Sequence, residues 1–182
     1  NEFRLKSNLT IPYGQVFGYL TRTSETETLQ LNRRRSLSPS ENLSLSYDHQ
    51  WLKCSIFTIV TMNQLRFSKS PQQNTTLWNE SVGANITLEW KTLTFASSLT
   101  EYIRHGYLIS SMNDNYLLWD ASVTWKLLKN KVRLKLEASD ILNQLDTFYA
   151  QQGAYQNIYS WRDQMHHFVN ISFTYHFDAK KK

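Results

Sequence analysis

Residues able to do chemistry are present in this chain, but their spacing works against it. His166 and His167 are adjacent, so on a strand their imidazoles point to opposite faces, and no carboxylate or cysteine stands at ligand spacing beside them. The lone Cys54, in KCSIFTIV, has no partner for an internal disulfide and reads as a small apolar strand residue. Nucleophile, base and acid types occur without a supporting arrangement, so the expectation is a non-enzyme with no cofactor and no metal site. The aromatic residues Tyr149, Tyr155, Tyr159 and Trp161, beside Arg162 and Asp163, sit in one long link where they could stack on a ligand; interfacial or loop packing is the plainer alternative. Glu89, Lys91, Arg104, Asp120, Lys126, Arg133, Lys135 and Glu137 mix signs, as a charge-paired wall around water would.

Composition narrows the classes that remain. The chain has 182 residues, 41% of them hydrophobic and 14% aromatic, so it is aromatic-rich without being greasy. Its net charge of +5 is spread along the sequence, with clusters only at Arg33-Arg34-Arg35 and Lys180-Lys181-Lys182, which read as solvated loop and tail rather than a nucleic-acid site. No signal peptide and no apolar run of membrane-helix length are visible. Matches to the Asn-X-Ser/Thr pattern, such as Asn8-Leu9-Thr10, follow from polar residues alternating on strands and carry little weight.

The elements that would position any site are strands. Trp78, Glu80, Val82, Ala84, Ile86, Leu88 and Trp90 alternate with Asn79, Ser81, Gly83, Asn85, Thr87 and Glu89, which gives a strand one mainly oily and one polar face. After a turn near Lys91-Thr92 the parity inverts to Leu93, Phe95 and Leu99, as it must for an antiparallel partner sharing the oily face. The same pattern recurs in Trp119 to Leu127, Val132 to Ala138 and Val169 to Phe177, and less clearly in Phe3 to Ile11, Val16 to Thr23, Ser36 to Tyr47 and Trp51 to Phe67. In the last of these a bulge is expected, because its parity is ambiguous. The total is about nine strands of roughly nine to sixteen residues, longer than the globular mode. No segment has a helical period.

Links between the strands alternate in length. Short ones fall at Pro12-Tyr13-Gly14, Asp48-His49-Gln50, Lys91-Thr92 and Leu128 to Lys131, and long ones at Ser24 to Arg35, Ser68 to Thr76, His105 to Asn115 and Asn143 to Met165. Tight turns at one end and long loops at the other are the layout of an outer-membrane β-barrel; a soluble sandwich has no reason to sort its loops this way. Trp78 and Trp90 stand twelve positions apart. At about 3.3 Å per residue and a tilt of about 40 to 45°, they would span roughly 28 to 30 Å, the height of the apolar band with its interfaces. Trp78, Trp90 and Trp125 are therefore read as girdle residues.

Two stretches then carry a resemblance. NDNYLLWDASVTWKLLKNKVRLKLEASDILNQ and the closing HHFVNISFTYHF resemble the carboxyl-terminal end of TonB-dependent receptor-like barrels, in particular the outer-membrane barrel family of Bacteroidetes. The matching positions are Asp120, Ala121, Ser122, Asp140, Ile141, Leu142 and Asn143, and Phe177 at the end of the last strand; the likeness covers roughly residues 113 to 177. It implies an all-β, antiparallel transmembrane meander, part of a larger barrel of about 22 strands around a plug. It further implies Phe173, Tyr175 and Phe177 as the signal read by the barrel assembly machinery, and outer-membrane lipid, the remaining barrel with its plug, and other outer-membrane complex subunits as partners, with no nucleic acid. Residues 1–177 are read as barrel and 178–182 as a basic tail. An odd strand count would agree with a fragment. A complete small barrel of eight or ten strands with a structural or adhesion role stays open, as do a membrane-embedded hydrolase and a soluble extracellular sandwich.

Overall fold

Pro12 and Pro39 decide how the first strands are drawn. In a computed structural model that describes residues 2–20, 30–129, 131–152, 157–162 and 164–177, β1 (Glu2–Thr10) and β2 (Tyr13–Leu20) flank Pro12, and β3 (Gln30–Leu37) and β4 (Ser40–His49) flank Pro39. β1 pairs with β4 from Glu2↔Asp48 to Thr10↔Ser40, and β2 with β3 from Tyr13↔Leu37 to Leu20↔Gln30, all in one register. Proline lacks an N–H, so a rung is lost at each junction while the chain runs straight on. Ser38 N donates to Pro12 O at 3.0 Å, and Met62 N to Pro39 O at 3.0 Å, holding the two junctions in line. The Pro12-Tyr13-Gly14 stretch is therefore an interrupted strand, where a turn was expected.

β5 (Leu52–Phe67) lies along both β4 and β3, and is followed by β6 (Thr75–Trp90), β7 (Leu93–His105), β8 (Tyr116–Leu127), β9 (Val132–Ser139) and, after a hairpin of β10 (Phe148–Gln152) and β11 (Asn157–Trp161), β12 (Phe168–Tyr175). β5 keeps one register with β6 from Leu52↔Leu88 to Leu65↔Thr75, so the expected bulge is absent; the ambiguous parity came from apolar Phe57 and Ile59 on the polar face. Among the described residues the ten strand segments of the main sheet thus form eight continuous antiparallel strands, an even number where about nine were expected, so the argument for a fragment from an odd count is not supported. Among the described residues, β1/β2 and β12 each have a neighbour on one side only, and the sheet is open.

The other links sort by length as the sequence indicates, but the long link expected from Ser24 to Arg35 is cut short: Gln30–Leu37 is β3, so Arg33-Arg34-Arg35 lies on a paired strand where a solvated loop was expected. Residues 50–51, 91–92 and 128–131 turn at one end, with Lys91, Leu128 and Lys129 at positive φ, the conformation that tight hairpins demand. Among the described residues, 68–74, 106–115 and 140–147 leave strands at the other end, and two of these links carry short 3-10 turns, Pro71–Gln73 and Ser110–Asn113. Gly106, at φ 89°, turns the chain out of β7 with its Cα against Thr76 O, where a Cβ would collide.

Among the described residues no packed interior holds the sheet together. The buried apolar side chains among the described residues are Phe67, Met112 and Val132, whereas Phe3, Trp90, Ile171 and Phe173 stand 66–74% exposed. In water so large an apolar surface would drive association; in hydrocarbon it is the solvated state, and between paired strands the backbone groups are satisfied by ladder bonds. Phe57, a large ring on the polar face, covers its rung partner Gly83; a Cβ on Gly83 would run into that ring and the Thr100 hydroxyl.

Candidate functional site on the polar wall beneath the long loops

Ladder register assigns every side chain to one of two faces. Phe3, Tyr47, Cys54, Ile86, Ser97, Ala121, Ala138 and Val169 follow one another across neighbouring strands in a single outward row. Arg4, Ser46, Ser55, Asn85, Ser98 and Asp120 do the same on the opposite, polar face. That polar wall is tied by Asn85 Nδ2 donating to Ser55 Oγ at 3.3 Å, Ser40 and Thr61 sharing a hydroxyl hydrogen bond at 3.0 Å, and ion pairs Lys53–Glu89 at 3.4 Å and Lys135–Glu137 at 2.9 Å. Glu89, Arg104, Asp120, Lys126, Arg133, Lys135 and Glu137 lie on it by parity, while Lys91 leaves it: its ammonium sits 5.3 Å from the Trp90 ring in the turn.

Towards the loops this wall becomes aromatic. Tyr102 and Tyr116 are rung partners on β7 and β8, stacked with centroids 4.7 Å apart and planes at 11°. The Arg104 guanidinium carbon lies 5.0 Å from the Tyr116 ring and forms an ion pair with Asp146 from the long 140–167 link. Tyr107 donates its hydroxyl hydrogen to Asn79 Oδ1 at 2.8 Å, and Asn113 clamps the 106–115 link by accepting from Tyr107 N at 2.9 Å and donating to Tyr107 O at 2.9 Å. Two stacked rings with a guanidinium over one of them make a surface that can stack and hydrogen-bond a polar ligand.

The link that reaches this cluster is fixed by one carboxylate. Asp140, 4% exposed and at φ 47°, accepts hydrogen bonds from Gln144 N at 2.9 Å and Leu145 N at 3.1 Å, while its own N–H donates to Asp120 Oδ1 at 2.9 Å. Ile141 N donates to Trp119 O at 2.9 Å, and Leu117 N to Gln144 Oε1 at 3.0 Å, so residues 140–145 take the place that more of β9 would fill beside β8. The Asp140 and Asn143 positions of the family-like motif therefore build a turn.

The other residues singled out in the sequence fall as follows. Trp90 and Trp125 share one outward row with Leu93, Leu134 and Phe173 at the turn end, and Trp78 stands outward at the loop end of β6. Phe173 and Tyr175 lie outward on β12, and Phe177 follows, 86% exposed with its ring 4.5 Å from that of Tyr175. Tyr149, Tyr159 and Trp161 belong to the β10–β11 hairpin, a pair of strands not anticipated in that link; Tyr155, Asp163 and the basic tail 178–182 lie outside the described residues. No third ligand-type side chain joins His166 and His167 among the described residues. Tyr102, Tyr116, Tyr107, Asn79 and Asp146 were missed by sequence reasoning; the available signal was an aromatic at polar parity on each of two neighbouring strands.

A family model described as outer membrane protein beta-barrel family matches residues 16–175. No curated protein and no solved structure matches the chain.

Proposed function

This chain belongs to the outer membrane protein beta-barrel family and sits in the lipid of the bacterial outer membrane, and from that premise we propose that it is the wall of a larger receptor barrel of the TonB-dependent type that takes up a scarce nutrient. The observation that carries this reading is the open sheet, with β1/β2 and β12 each unpaired on one side. Unpaired N–H and C=O groups in hydrocarbon cost several kcal/mol each, so both edges need partners, which the further strands of a larger barrel would supply. The Tyr102–Tyr116–Arg104 cluster and the β10–β11 hairpin would contribute to the ligand surface, shared with a plug. Phe173, Tyr175 and Phe177 would serve as the assembly signal for the barrel machinery. The wall acts by binding and passage rather than by chemistry.

A second reading, an eight-stranded barrel closed on itself with a structural role, is favoured by the even number of continuous strands. Cysteine pairs across the free edges separate the two. With Cys54→Ser as background, cysteines on β1 (Lys6, Asn8) combined with cysteines on β12 (Asn170, Ser172) are expected to give no intrachain disulfide between the two edges in native outer membrane. An intrachain bond would establish the closed small barrel and end the receptor reading. Loss of growth on a limiting nutrient, restored at excess, is the expected phenotype of a strain lacking the chain.

A further inference from the structure

We propose that the outward face of β3 and β5 at the loop end binds the phosphate of an outer-leaflet lipid headgroup through Arg33, Arg35 and Arg66. Register places all three on the lipid-facing side. Arg35 and Arg66 are direct rung partners, Arg33 is the rung partner of outward Phe17, and the two-residue step from Leu37 through Arg35 to Arg33 keeps one parity. Arg34, between them, pairs with Phe67 on the other face.

Their height fits a headgroup. Met62 is the rung partner of the girdle residue Trp78, and Arg66 lies four residues further towards the loops. At about 3.3 Å per residue and the usual tilt, that puts the guanidinium roughly 9–10 Å beyond the girdle, past the hydrocarbon and in the polar layer. Arg66 is held in place there: Nη1 donates to Thr75 O at 3.1 Å and to Leu65 O at 3.2 Å, and Nη2 to Thr76 Oγ1 at 3.1 Å. Thr76 has the same outward parity as Trp78.

The charges ask for an anion. Like charges directly opposite on a ladder repel, and among the described residues none of the three arginines forms a salt bridge. A phosphate oxygen set between opposed guanidiniums turns that repulsion into charge-assisted hydrogen bonds. Because the face is turned to lipid, the phosphate that meets it is a headgroup's.

The test uses the native chain in nanodiscs and measures retention of a diphosphorylated glycolipid of the lipid A type, the same lipid after phosphate removal, and inorganic phosphate as competitor. Wild type is expected to retain the phosphorylated lipid alone and to keep it in excess inorganic phosphate. The combined Arg33→Gln, Arg35→Gln and Arg66→Gln variant is expected to lose roughly 100-fold in affinity, at about 5-fold per arginine. Arg34→Gln is expected to bind as wild type. Equal retention of both lipids by wild type, which needs no variant to fold, would overturn the proposal. So would an Arg34→Gln loss as large as the triple variant's, or complete displacement by inorganic phosphate.

Discussion

At the turn end of the sheet, Trp90, Leu93, Trp125, Leu134 and Phe173 form an outward row without a charge, whereas towards the loops the same outward parity carries Glu41, Glu80, Glu101, Arg35 and Arg66. The polar face changes in the opposite sense, from Lys53, Glu89 and Ser55 near the turns to Tyr102 and Tyr116 near the loops. The turn end is specified by its solvent: lipid rewards alternation, and short hairpins set the register. The loop end is specified by particular side chains, Asp140 on backbone amides, Arg104 on Tyr116 and Asp146, Asn113 on the 106–115 link. One half therefore depends on pattern and the other on individual contacts, so substitutions should act differently in each.

The largest effect is expected where pattern governs. Ala84 is outward and six positions from both Trp78 and Trp90, so Ala84→Arg would set a guanidinium near the bilayer midplane, at a cost of about 2–4 kcal/mol. Folding titrations in lipid should register that loss, while Asn85→Arg on the polar face stays within about 1 kcal/mol of wild type. Equal losses would break the assignment of faces. Next comes Asp140→Ala, which strips the acceptor from two backbone N–H groups and should destabilise the 140–145 turn by about 2–3 kcal/mol. Limited proteolysis should then cut within 140–147 while the hairpin at 91–92 stays resistant; cutting at both ends would show that the halves are not independent.

Smaller effects sharpen the contrast. Tyr116→Ala removes a stacked ring and the Arg104 contact, worth about 1–2 kcal/mol together, and should raise amide exchange in the 140–147 link without changing heat resistance of the sheet. Lys91→Ala at the turn end loses only the contact with Trp90, about 0.5–1 kcal/mol, visible as a slight fall in unfolding midpoint.

The legible part of the molecule was the part that physics makes periodic. Trp78 to Trp90 and Trp119 to Leu127 announced both faces, and their register partners agree with the parity. Pro12 misled because proline next to Tyr13-Gly14 also marks turns, and only the shared register with β3 and β4 shows a straight strand. The β10–β11 hairpin was hidden by its short strands, and the tyrosine–arginine cluster by distance along the chain: Arg104 and Asp146 are joined by a fold, with no sequence spacing to announce them. Asp140 was noticed as a motif position, but its role as an amide acceptor depends on a positive φ that sequence alone does not display.

The central claim is that one face of this sheet is solvated by lipid and the other by water. Nitroxide labels placed one at a time at positions 80 to 89 of β6, with Cys54→Ser as background, test it in reconstituted membranes through collision with oxygen and with a water-soluble nickel chelate. Oxygen contact is expected to peak at positions 82, 84, 86 and 88 and nickel contact at 81, 83, 85, 87 and 89, in strict opposition. Collision profiles without a two-residue period, or with the two reagents peaking together, would contradict the account.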